Sequence, residues 1–137
     1  MTPCFADTSY FIALLSPTDG DHARARQLAE GLRQPVLTSE YVIIEVGNFF
    51  RAAAARAKFA SFLHAVECDP GTQIVAASST LLRAAIALFV ERQDKTWSLT
   101  DCTSFVIMQN HGVTHALSAD HHFEQAGFRA LLRSDPR

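Results

Sequence analysis

Four of the fourteen acidic residues in this 137-residue chain sit at the edges or in the middle of segments that otherwise read as core. Asp7 closes the apolar stretch Cys4-Phe5-Ala6, and Glu45 is embedded between Tyr41 and Phe50. Asp101 precedes Phe105-Val106-Ile107-Met108, and Asp120 follows the stretch Val113 to Leu117. Carboxylates are rarely buried unless paired or bound to a cation. Four of them in such places suggest one shared site of hard oxygen donors, which suits Mg²⁺ or Mn²⁺.

Each aspartate also has a plain structural reading. Asp7 before Thr8-Ser9 is a good helix N-cap, worth about 1 kcal/mol. Ser98-Leu99-Thr100-Asp101 matches a capping box, and Asp120 can cap the turn that leads to Phe123. Glu45 resists such an account. It lies mid-helix between Val42 and Phe49, in a segment apolar almost all round, where a carboxylate needs a cation or an Arg partner. His121-His122 beside Asp120 read as exposed turn residues, because no matching His/Cys cluster accompanies them.

Other chemistries fail on spacing. The chain has no G-x-x-x-x-G-K-[ST], no G-x-G-x-x-G after a strand and no G-x-S-x-G elbow. Asp7 lacks the D-x-D partner of a phosphoaspartate phosphatase, since position 9 is Ser.

Positioning these acids requires a scaffold, and period and punctuation alternate between short strands and longer helices. Strands are expected at 3–6, 35–37, 72–76, 113–117 and 128–132. Helices are expected from Thr8 to Leu15, after Asp21, from Thr38 or Ser39 into the alanine-rich stretch past Arg51, over 57–68, from Thr80 to about Gln93, from Ser98 to Gly112, and as a turn over 120–125. Strands alternating with helices predict an α/β fold, a short, mainly parallel sheet covered on both faces. In such sheets ligands bind beyond the carboxyl ends of the strands, where Asp7 and Asp120 should both emerge.

Length and the absence of linkers or repeats predict a single domain over 1–137. No apolar run reaches the ~20 residues of a membrane span, and no cationic leader opens the chain. Cys4, Cys68 and Cys102 are odd in number and lack C-x-x-C spacing, so each reads as a reduced, small core residue in a cytoplasmic protein. Net charge is −2, yet ten of the twelve basic residues are Arg, suited to phosphate or carboxylate contacts. Charge alone leaves the partner open.

The motifs converge on a family. Asp7-Thr8-Ser9 with Ile12-Ala13-Leu14-Leu15, Thr38-Ser39 through Glu45-Val46, Trp97-Ser98-Leu99-Thr100-Asp101-Cys102 and Leu117-Ser118-Ala119-Asp120-His121-His122-Phe123 occur in order over about 5–128. The chain resembles the PIN domain, in particular the small ribonucleases that act as toxins of type II toxin–antitoxin pairs. That resemblance implies a three-layer α/β/α sandwich and an acidic metal site at Asp7, Glu45, Asp101 and Asp120, with the hydroxyls of Thr8 and Ser118 in support. Asp94 is a candidate outer carboxylate. It further implies a Mg²⁺- or Mn²⁺-dependent endoribonuclease acting on RNA, a small antitoxin partner and a homodimer. Arg51, Arg56 and Lys58 are candidates for gripping the RNA backbone. The alternatives are a non-catalytic RNA- or protein-binding module of the same fold and a small metal-dependent nucleotide phosphatase.

Overall fold

The computed structural model of the protein describes residues 1–133; the last four residues of the expected domain, 134–137, lie outside the described residues. Five strands, β1 (Cys4–Ala6), β2 (Val36–Ser39), β3 (Thr72–Val75), β4 (His115–Leu117) and β5 (Arg129–Ala130), form one sheet in the order β3-β2-β1-β4-β5. Every pairing is parallel. Among the described residues the α-helices are α1 (Thr8–Leu15), α2 (His22–Gly31), α3 (Glu40–Phe49), α4 (Arg56–Cys68), α5 (Ser79–Glu91), α6 (Leu99–Asn110) and α7 (His121–Gln125).

The strand order decides the layers. The chain steps from β1 outward through β2 to β3, then crosses back to β4 and β5 on the other side. Right-handed crossovers therefore put α1–α4 on one face and α5–α7 on the other. The direction reverses between β1 and β4, which makes their carboxyl ends the switch point where open α/β sheets bind ligands. β1 is the central strand and is buried throughout. α6 is nearly as deep: Asp101 to Phe105, Ile107 and Met108 are all buried, as expected of a helix that is apolar on most sides.

An aromatic cluster fixes α6 against α7. The Phe105 ring packs edge-on against Trp97 and Phe123, each at 5.0 Å, and lies 5.7 Å from Phe128. On the opposite face Phe11, Phe59 and Phe62 form a second group. The helix α6 stops as its glycine foretells, with Gly112 at φ 65°, a conformation that costs other residues about 1–2 kcal/mol.

The helix start expected at Thr38 or Ser39 is found: Ser39 is the N-cap of α3, accepting from the Val42 N–H, while Thr38 and Ser39 also close β2 opposite Ile74 and Val75. Two expectations need correction. The expected long helix breaks after Phe49, and a 3₁₀ turn over Ala53–Ala55 precedes α4. Alanine propensity favours continuity, but burial of the Phe50 side chain bends the backbone out of helix, and Arg51 and Arg56 donate to the freed carbonyls of Asn48 and Arg51. Finally, Cys4 and Cys102 are buried but Cys68 is exposed on the last turn of α4, 3.7 Å from His64. All three cysteines are free.

Candidate active site

Asp7 is delivered by the central strand. Its N–H donates to the Leu117 carbonyl, which ties the end of β1 to the end of β4. The Asp7 carboxylate does not cap α1. Instead its Oδ2 accepts from the hydroxyls of Ser118, at 2.9 Å, and Ser9, at 3.1 Å. Those hydroxyls also accept backbone N–H groups, Asp120 to Ser118 and Ala119 to Ser9. Ser9 and Ser118 thus form a polar bridge between the two strand ends.

Burial dominates the electrostatics of Asp7. Removal from water pushes its carboxyl up from the ordinary 3.8 to about 7, aided by the charge of Asp101 and opposed by the Ser118, Thr8 and Ser9 hydrogen bonds. Asp101 is raised in the same direction, again chiefly by burial and then by the charge of Asp120; the Ser98 hydrogen bonds and His122 oppose this.

Asp101 and Asp120 are helix caps as well as residues of the cleft. Asp101 completes a capping box, its Oδ2 accepting from the Ser98 N–H while the Ser98 hydroxyl accepts from the Asp101 N–H. Asp120 caps α7 through the His122 N–H onto Oδ1. One oxygen of each is therefore held, and Asp101 Oδ1 and Asp120 Oδ2 accept no hydrogen bond among the described residues. Replacing Ser98 with Ala should lower stability by about 1 kcal/mol. The backbone N–H that holds Asp101 survives that change, so any activity of the site should stay within a few-fold; urea melts and rate measurements check both.

Glu45 is half-buried, not enclosed. Its helix carries an uncovered apolar flank, with Ile44 60% and Phe49 55% exposed. The Glu45 carboxylate makes no hydrogen bond or ion pair among the described residues, so the Arg partner considered for it is not there. It faces a cleft lined also by Asp7, Thr8, Ser9, Ile12, Asn48, Phe49, Arg51, Asp101 and Asp120. The four acids thus line one cleft, contributed by the end of β1, α3, the start of α6 and the start of α7.

The supporting hydroxyls differ. Ser118 is bonded to Asp7, whereas Thr8, another residue of the cleft lining, has its Oγ1 buried and without a hydrogen-bond partner. Asp94 stands apart, exposed and paired with Arg92 and Lys95. Of the basic candidates, Arg51 reaches the cleft.

The PIN domain model matches residues 4–129. The chain belongs to the PIN domain family. Over 125 residues it is 29% identical to the 23S rRNA-specific endonuclease VapC20 of Mycobacterium tuberculosis, a match spanning 90% of this chain and 94% of that protein. The crystal structure of VapC20, described as a sarcin-ricin loop cleaving toxin, aligns with a TM-score of 0.83 at 26% identity over 91% of this chain and 95% of that one. FitAcB from Neisseria gonorrhoeae shares the fold, with a TM-score of 0.66 at 17% identity over 93% and 94% of the two chains. So does a toxin–antitoxin complex from Klebsiella pneumoniae, with a TM-score of 0.62 at 19% identity over 86% and 87%.

Sequence reasoning missed two residues of this PIN domain. Ser9 bridges Asp7 and the β4 end, and its signal was the hydroxyl two residues past an aspartate at a strand end. His122, expected as an exposed turn residue, is largely buried: its side chain is 16% exposed, with Nδ1 3.1 Å from Asp120 Oδ1 and 3.2 Å from Asp101 Oδ2. His121, at 56%, fits the original expectation. Among the described residues, the ligand-type atoms that lie within 4.8 Å of one another in a group of three are those of Asp120, His121 and His122; Asp7, Glu45 and Asp101 stand farther apart across the cleft.

Proposed function

We propose that this PIN domain is a metal-dependent endoribonuclease, the toxin of a toxin–antitoxin pair, and that Asp7, Glu45, Asp101 and Asp120 hold Mg²⁺ or Mn²⁺ in its active site. The observation that carries the reading is Asp7: a buried carboxyl pushed up to about 7, facing three further acids across one cleft with no basic partner of its own. Such a group is stable as an anion only with a cation beside it. The residues fit that cation. All four are hard oxygen donors, and Thr8 beside Asp7 carries a buried hydroxyl with no hydrogen-bond partner.

When bound, a divalent ion makes water more acidic and offsets the charge that grows on the phosphate. The chain's own residues supply the rest. Ser9 and Ser118 keep Asp7 oriented, and the capping contacts hold Asp101 and Asp120 by one oxygen each. Arg51, at the cleft rim, supplies positive charge for the RNA backbone.

The likeness to VapC20 supports ribosomal RNA as the substrate class. The exposed Ile44 and Phe49 beside an acidic cleft suit an antitoxin segment that carries an apolar and a cationic side chain. Homodimerisation and a cytoplasmic location, where that RNA resides, complete the reading. No helix among the described residues is long and apolar enough to cross a membrane.

The test is incubation of the protein with ribosomal RNA and with a sarcin-ricin hairpin in Mg²⁺, in Mn²⁺ and in chelator. Cleavage is expected with either metal and not with chelator, and Glu45→Gln and Asp101→Asn should each slow it at least about a hundredfold. Cleavage undiminished in chelator, or by Asp101→Asn, would rule out the proposed centre. Release of phosphate from nucleotides without any RNA cleavage would select the phosphatase.

A further inference from the structure

We infer that His122 is a positioning residue that clamps Asp101 to Asp120 and thereby sets how tightly the acidic site holds a divalent cation. The inference rests on the metal-site reading above and adds a residue to it.

Two short elements must agree for the site to form. Asp101 lies in the first turn of α6 and Asp120 just before α7, nineteen positions later in the chain. His122 Nδ1 sits between them, 3.2 Å from Asp101 Oδ2 and 3.1 Å from Asp120 Oδ1. On the far side of the ring, Nε2 is 3.3 Å from the Thr96 hydroxyl. One neutral tautomer suits this setting. Nδ1–H donates to Asp101 Oδ2, Asp120 Oδ1 lies 3.1 Å from the same nitrogen and accepts from the His122 backbone N–H, and Nε2 accepts from the Thr96 hydroxyl.

That arrangement selects which oxygens are left. The two oxygens that face His122 are the same two already engaged by helix caps, Asp101 Oδ2 by Ser98 N–H and Asp120 Oδ1 by His122 N–H. Asp101 Oδ1 and Asp120 Oδ2 are thereby left without protein hydrogen bonds, on residues that line the cleft. The imidazole also lies between two like charges, of which that of Asp120 raises the proton affinity of Asp101. The main-chain capping contacts fix each carboxylate to its own helix; His122 joins one helix to the other. The Asp101 carboxylate can only accept, which places the ring proton on Nδ1, and the Thr96 contact holds the ring's orientation from the other side.

Calorimetric titration of Mn²⁺ and Mg²⁺ into wild type, His122→Ala, His122→Asn and Thr96→Val tests the clamp, with the fold of each variant monitored by circular dichroism. His122→Ala should weaken metal binding by about 10–100-fold, while the cleavage rate at saturating metal stays within about tenfold of wild type. His122→Asn places an amide N–H close to the Nδ1 position and should recover most of the lost affinity. Thr96→Val should fall between wild type and His122→Ala. Wild-type affinity in His122→Ala would overturn the clamp and leave the metal site standing. So would an Asn variant that is folded yet as weak as Ala, because the ring nitrogen would then act as a ligand and not as a donor. A wild-type protein that binds neither ion would overturn the metal site, and the clamp with it.

Discussion

Asp7→Asn should abolish RNA cleavage, by at least about a thousandfold, while making the metal-free protein more stable at pH 8. The first effect follows from the proposed site losing its most deeply placed anion, at several kcal/mol of transition-state stabilisation. The second follows from its cost. The Asp7 carboxyl is 5% exposed and pushed from 3.8 up to about 7. Below about pH 4 it is protonated in both the folded and the unfolded chain, and its burial carries no ionisation cost. As the pH rises from 4 to 7 the unfolded chain gives up the proton first, so folding stability falls; the loss is complete above about pH 7. With about 1.4 kcal/mol for each tenfold of proton affinity, the loss is on the order of 4 kcal/mol. Asn carries no charge, and its carbonyl oxygen still accepts from Ser9 and Ser118. Denaturant melts in chelator should therefore show the two proteins alike near pH 4 and the variant well ahead at pH 8. Addition of Mn²⁺ should restore the wild type and not the variant. Equal pH profiles would mean that Asp7 is not the uncompensated charge that its surroundings make it.

The scaffold was legible because its signals are local. Helix starts are written in Ser78, Ser98 and Asp120, the α6 stop in Gly112, and all five strands lie where short apolar runs end at turn residues. A parallel α/β fold then sends Asp7 and Asp120 to one sheet edge by chain order alone. Sequence order does not say which strands are neighbours, and the β1–β4 contact that brings Ser118 onto Asp7 is a product of the β3-β2-β1-β4-β5 order.

Glu45 shows where pattern reading misleads. Tyr41 to Phe50 looks like core because it is apolar on nearly every side, yet Ile44 and Phe49 face solvent. Composition cannot separate an apolar face packed inside from one left uncovered for a partner. Glu45 is consequently a half-exposed acid on the cleft wall. His122 was misjudged for a related reason. A histidine in a polar turn reads as exposed, and only the packing of α7 against α6 turns it inward between two carboxylates. Gly47 belongs to the same class: a Cβ there would meet the Phe59 ring at 3.3 Å, so its small size serves the contact of α3 with α4.

Phe105→Ala should be the costliest substitution away from the acids, and it should damage the site as well as the core. Phe105 is 1% exposed and touches three other rings. Deleting such a side chain costs about 3–5 kcal/mol in transfer energy and unfilled space, a large share of the roughly 5–15 kcal/mol typical of a domain. Its position adds a local consequence. Phe105 is four residues after Asp101 on α6, and its partner Phe123 follows His122 on α7. Their edge-on contact sets the relative placement of the two helix starts that carry Asp101, Asp120 and His122. Loosening it should weaken Mn²⁺ binding several-fold even where the variant remains folded. Phe62→Ala provides the comparison, since Phe62 is 7% exposed and packs against Phe11 and Phe59 on the other side of the sheet. It should lose a similar amount of stability in urea melts with metal affinity nearly intact. Equal loss of affinity in both variants would make the coupling a matter of overall stability. A loss confined to Phe105→Ala would assign it to the α6–α7 contact.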